Sequence, residues 1–137
     1  MGIFTYDAVT IIQDLITNKW KDIRPPRISA IWDKRSVGFM DDRRDFILIS
    51  PENEDPQYFG LYGQDFLHQI SVRIEIHSFQ NLEHHENLVN EIFRIVKENI
   101  RRTDFIDLLL DSSSHENDMY RNIYRHVINV RYRKLNP

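Results

Sequence analysis

The sequence predicts a single α+β domain spanning residues 1–137: a mostly antiparallel sheet with two amphipathic helices packed on one face, in the order α-β-β-β-α-β-β. Two segments carry apolar residues at helical spacing, around 5–20 and 82–101. Two others, "HQISVRIEIHSF" and "NIYRHVINVRYRKL", alternate apolar and polar residues with the period of a half-buried strand. A helix with one apolar stripe and a sheet with one apolar face each need a cover, and packing them together covers both.

The first helix is expected over 5–20, capped by Thr5, with Val9, Ile12, Ile16 and Trp20 as its stripe and Ala8, Ile11 and Leu15 widening it. "RPPR" ends it, since Pro25 and Pro26 fix φ and lack a donor. "ISAIW" (28–32) and "FILIS" (46–50) read as short strands, with Pro51 closing the second. Between them, "DKRSVGFMDDRRD" is longer than an ordinary hairpin loop. A second connector, "PENEDPQYFGLYGQDF", carries Tyr58, Phe59, Tyr62 and Phe66, which either fold back over the core or anchor a partner surface.

In the third strand Ile70, Val72, Ile74 and Ile76 share one face, and Ser71, Arg73, Glu75 and His77 share the wet one. The second helix follows, with Asn81 as N-cap. Glu83 and Glu86 complement its dipole at the start, and Arg101 and Arg102 at the end. "DFIDLLLD" (104–111) reads as a strand, with helix extension as the alternative, and "SSSHEND" as a turn. The last strand, interior or at an edge, places Tyr124, His126, Ile128, Val130 and Tyr132 on one face and Arg125, Asn129, Arg131 and Arg133 on the other.

A chain of 137 residues buries roughly two thirds of its unfolded surface and needs no staples. The absence of cysteine excludes disulfides, thiolate metal sites and a thiol nucleophile. The start "MGIFTYDAVT" has no secretory pattern, Tyr6 breaks the myristoylation motif, and no apolar run approaches a membrane span, so a soluble intracellular protein is expected. A net charge of −3 argues against a general nucleic-acid binder. Yet Asp104, Asp107, Asp111, Glu116 and Asp118 precede a run holding Arg121, Arg125, Arg131, Arg133 and Lys134. That polarity predicts one acidic and one basic edge, or else a solvated strand beside a solvated loop.

The segment "RIEIHSFQNLEHHENLVNEIF" crowds three histidines and four carboxylates together. Adjacent His84 and His85 point about 100° apart on a helix, and their i+4 neighbours are Leu88 and Val89, so they cannot chelate as a pair. They read as solvated first-turn residues. Asp65 with Glu75 and His77 approximates the acidic pattern of metal-dependent PD-(D/E)xK nucleases, with His77 where the lysine belongs; this is the alternative, enzymatic expectation. There is no Walker A, GxGxxG or GxSxG pattern and no helix-turn-helix or RNP-like signature. No catalytic, cofactor or metal residues are assigned.

The segments "ISVRIEIHSFQNLEHHENLVNEIFRIVKENI" and "NIYRHVINVRYRKL", supported by "PPRISAIW" and the first helix, resemble the tail-terminator and tail-completion (neck) proteins of tailed phages and related archaeal viruses. The resemblance covers nearly the whole chain and rests on element order. It implies a structural virion protein without cofactor, assembled in the host cytoplasm as a homo-oligomeric ring, commonly a hexamer. Such a ring caps the tail tube and joins the tail tube protein to the head connector or adaptor, with no membrane and no specific nucleic acid as partner. Arg43, Arg44, Tyr58, Phe59, Tyr62, Arg131 and Arg133 are the expected subunit or partner contacts.

Overall fold

A computed structural model describes residues 3–21, 25–31, 44–54, 57–59, 65–99, 107–118 and 120–136. Its elements are α1 (Ile3–Lys19), β1 (Arg27–Ala30), β2 (Phe46–Glu54), β3 (Gln57–Phe59), β4 (Asp65–Ser78), α2 (Leu82–Glu98), β5 (Asp107–Asp118) and β6 (Ile123–Asn136). The strands form one sheet in the order β1-β2-β4-β6-β5, and the three-residue β3 takes over from β2 along the first residues of β4. Among the described residues β1 and β2 run parallel and the other pairings are antiparallel. The α+β class and its order hold, with β3 as one short addition.

Strand parity sets the layers. Ile47, Ile49, Val72, Ile74, Ile76, Ile128 and Val130 all point to one face and are fully buried. Ala8, Val9, Ile12 and Ile16 of α1 and Leu88, Ile92 and Ile95 of α2 meet them there, so both helices share one side of the sheet. Each such Val, Leu or Ile side chain contributes about 1.5–3 kcal/mol by leaving water. Asn81 caps α2 as its position in the sequence implies, its Oδ1 accepting from the His84 N–H at 2.8 Å.

A buried carboxylate ties the helices to each other. Glu91, 2 % exposed, accepts from the Lys21 N–H at 2.7 Å and from Arg94 Nε at 2.5 Å. Arg94 also donates to the Lys19 carbonyl at 2.6 Å and to Glu98 at 2.7 Å. The C-terminal end of α1 is thus held against α2 by charge-assisted hydrogen bonds.

Three boundaries differ from expectation. Thr5 lies inside α1, which starts at Ile3, so it is not the cap. Pro51 does not end β2; a register shift between Pro51 and Asn53 absorbs the missing donor and the strand continues to Glu54. "SSSHEND" is not a turn but the second half of β5, because the 14-residue β6 offers a continuous pairing edge that outweighs the turn preference of Ser, Asn and Asp. The turn falls one step later. There Asp118 Oδ1 accepts from the N–H groups of Tyr120 and Arg121, and Asn122 adopts the left-handed conformation at φ 53. Residues 104–106, Arg101 and Arg102 lie outside the described residues.

Candidate functional site

The charge polarity of the C-terminal region resolves inside the sheet. The acidic run is β5 and the basic run is β6, paired antiparallel, with Glu116 opposite Arg125 and Asp107 opposite Arg133. Arg125 Nη1 approaches Glu116 Oε2 at 3.6 Å, and Arg121 approaches Asp118 at 3.7 Å. The expected basic edge is therefore corrected: β6 is interior, flanked by β4 and β5, and the segregation in sequence is cross-strand complementarity.

On the face away from the helices, Glu75 is paired with Arg125 and lies 3.5 Å from Arg73. Beside it His77 stacks on Phe46, ring centroids 4.4 Å apart and planes 11° apart. His77 is buried rather than wet, and burial lowers its pKa, Glu75 opposing and Arg125 reinforcing the effect. The enzymatic trio does not assemble. Asp65 and Glu75 stand ten residues apart on the unbroken β4, roughly 33 Å at about 3.3 Å per residue.

The helix-side face holds an arrangement the sequence reading missed. His85 of α2, His126 of β6 and His115 of β5 line a groove of about 480 Å³ with Leu82, Val89 and Phe93, rimmed by Glu86, Asn90 and Asn117. Ring centroids are 6.3 Å apart for His85 and His126 and 6.0 Å for His115 and His126, while Phe93 meets His126 edge-on at 6.0 Å. His85 is 2 % exposed, the opposite of a solvated first-turn residue. Its Nδ1 lies 2.7 Å from Ser78 Oγ, and its ring stacks near Tyr124. Burial, seconded by His126 and His77, lowers its pKa to about 4 against the opposing pull of Asp45; burial and then His115 lower that of His126. An uncharged imidazole keeps one donor and one acceptor. Yet Nε2 of His85 and Nε2 of His126 are buried with no hydrogen-bond partner among the described residues. The signal lay in two periodicities: His85 precedes Leu88 and Val89 by three and four residues on the apolar stripe, and His126 alternates with Tyr124 and Ile128 on the buried face.

His84, one residue earlier, faces elsewhere and binds Asp45 Oδ2 at 2.5 Å. They border a second groove of about 320 Å³ with Pro25, Pro26, Arg27, Arg44 and Gln80. Arg27 donates to the carbonyls of Arg44, at 2.7 Å, and Asp45, at 3.4 Å, and sits 5.8 Å above the Phe46 ring. Among the described residues no three His, Asp or Glu side chains stand as a metal-holding group.

The expected contact residues are spread along the molecule. Arg44 is exposed at the foot of β2, whose Phe46 pairs with His77, whereas Tyr58 and Phe59 of β3 pair with Phe66 and Asp65. Eleven residues of β4 separate those pairings, roughly 35 Å. Arg131, half-buried opposite Ser71, stands midway along β4, and Arg133, opposite Gln69, stands nearer the β3 end. Arg43 and Tyr62 lie outside the described residues. Among those residues no helix is long and apolar enough to cross a membrane. Compared with known proteins, the chain matches no family model and no curated sequence.

Proposed function

We propose that this chain is a structural protein that acts by assembling with copies of itself, as a tail-terminator or tail-completion ring that caps a viral tail tube and joins it to the head connector. The observation that supports this most is the open sheet with two unlike edges. β1 is four residues long and parallel to its neighbour; β5 is twelve residues long and antiparallel. They stand at the two ends of the strand order. Unlike edges favour head-to-tail contacts, which close into rings when the rotation between copies allows. The ion pairs of Glu75 favour the same reading over the nuclease alternative, since they hold this carboxylate on Arg125 and Arg73.

Sedimentation velocity over a concentration series, alone and with tail tube protein, tests the proposal. Closed oligomers or a complex with the tube protein are expected. A chain that stays monomeric and ignores both tube and connector proteins overturns it.

A further inference from the structure

The groove between α2 and the β5–β6 pair combines three properties of a binding site: room for a ring, an apolar lining and polar atoms without partners. Its volume of about 480 Å³ falls in the range of ligand pockets. Leu82, Val89 and Phe93 supply the apolar wall. Among the described residues two buried imidazole nitrogens, Nε2 of His85 and Nε2 of His126, lack a hydrogen bond, and leaving such groups unpaired is costly. A phenol suits this lining better than a purely apolar or purely charged group. Its ring packs on Phe93 and Val89, and its hydroxyl both donates and accepts, so it satisfies an imidazole nitrogen in either tautomer.

The same chain displays an unused phenol. Tyr120, at the tip of the β5–β6 hairpin, is fully exposed, at 101 %. The turn that carries it is held by Asp118 Oδ1, which accepts from the Tyr120 N–H at 3.1 Å and the Arg121 N–H at 3.3 Å. On the other side, Tyr124 Oη donates to Asn122 Oδ1 at 3.2 Å. A large side chain presented on a fixed turn loses little backbone entropy when it docks, which is the design of an interface anchor.

We propose that the histidine groove is a socket for a tyrosine side chain, and that its occupant is Tyr120 of a second copy of this chain. Anchor and socket are different surfaces, so the contact either repeats from one subunit to the next or is exchanged reciprocally in a two-fold pair. This contact rests on the assembly reading and gives it a specific joint.

The test pairs sedimentation with NMR of histidine-labelled protein, comparing wild type, Tyr120→Phe and Tyr120→Ala. Because Tyr120 is exposed, neither variant disturbs the fold, and circular dichroism checks this. In wild type the His85 and His126 ring resonances shift as concentration drives association. Tyr120→Ala weakens association roughly tenfold or more and abolishes those shifts. Tyr120→Phe keeps association in part and loses the shift that reports the hydroxyl. Assembly of Tyr120→Ala at wild-type strength, with unmoved histidine resonances in both proteins, overturns the socket and leaves the assembly reading standing. A wild type that never self-associates overturns the socket, and overturns the assembly reading as well when it also ignores tube and connector proteins.

Discussion

The two faces of the β4–β6 ladder carry ionisable residues in opposite states, although the residues are chain neighbours. Arg125 lies on the outer face, paired with Glu75 and near Glu116, while His126, the next residue, lies under α2 with its Nε2 unpartnered. One step along a strand moves a side chain from a half-exposed charge network to a covered interior. Where no helix covers the sheet, charges persist by pairing. Where α2 covers it, burial holds His85 and His126 uncharged.

The comparison breaks most visibly when a charge is forced across it. Val72→Glu places a carboxylate among fully buried aliphatics, and in urea denaturation the loss is expected to be about 4 kcal/mol or more. Ser71→Glu adds the same charge one residue away, on the outer face opposite Arg131, and is expected to change stability by about 1 kcal/mol or less. Equal losses at both positions would contradict the two-face account.

Acid tests the buried histidines, His85 and His126 on the covered face and His77 on the outer one. The folded-state pKa of His85, about 4, lies below the unfolded value of 6.5, so the folded chain binds fewer protons between those pH values. Its contribution is complete above pH 6.5 and is lost as pH falls toward 4, by about 3 kcal/mol. The lowered values of His126 and His77 act in the same direction. Denaturation midpoints at pH 7, 6, 5 and 4 check this, and His85→Asn is expected to flatten the profile.

The outer face yields smaller effects. A double-mutant cycle on Arg125 and Glu75, which are 30 % and 14 % exposed at the side chain, is expected to give a coupling of about 1 kcal/mol that shrinks with added salt. At the hairpin tip Arg121→Ala, removing a partner of Asp118 that is 76 % exposed, is expected to cost under about 0.5 kcal/mol.

The fold was legible wherever one period ran long enough. Alternation over Ile70 to Ile76 and Tyr124 to Tyr132 named the central strands, and the stripe from Leu88 to Val96 named α2 with its cap at Asn81. The register between strands was not legible, because "DSSSHEND" has the composition of a turn and becomes strand only by pairing with β6. For the same reason, adjacent acidic and basic runs suggested two edges when they are two neighbouring strands. The histidine groove escaped because its three residues come from α2, β5 and β6, and because His85, beside the Asp45-bound His84, was grouped with its neighbour by sequence although the helix turns them about 100° apart.

The proposed role is to cap a tail tube and join it to the head connector. Electron microscopy of the purified chain mixed with tail tubes tests it most directly. The account predicts ring-shaped density at one end of each tube and an arrest of tube growth. Tubes that grow on with bare ends at every ratio of the two proteins would contradict it.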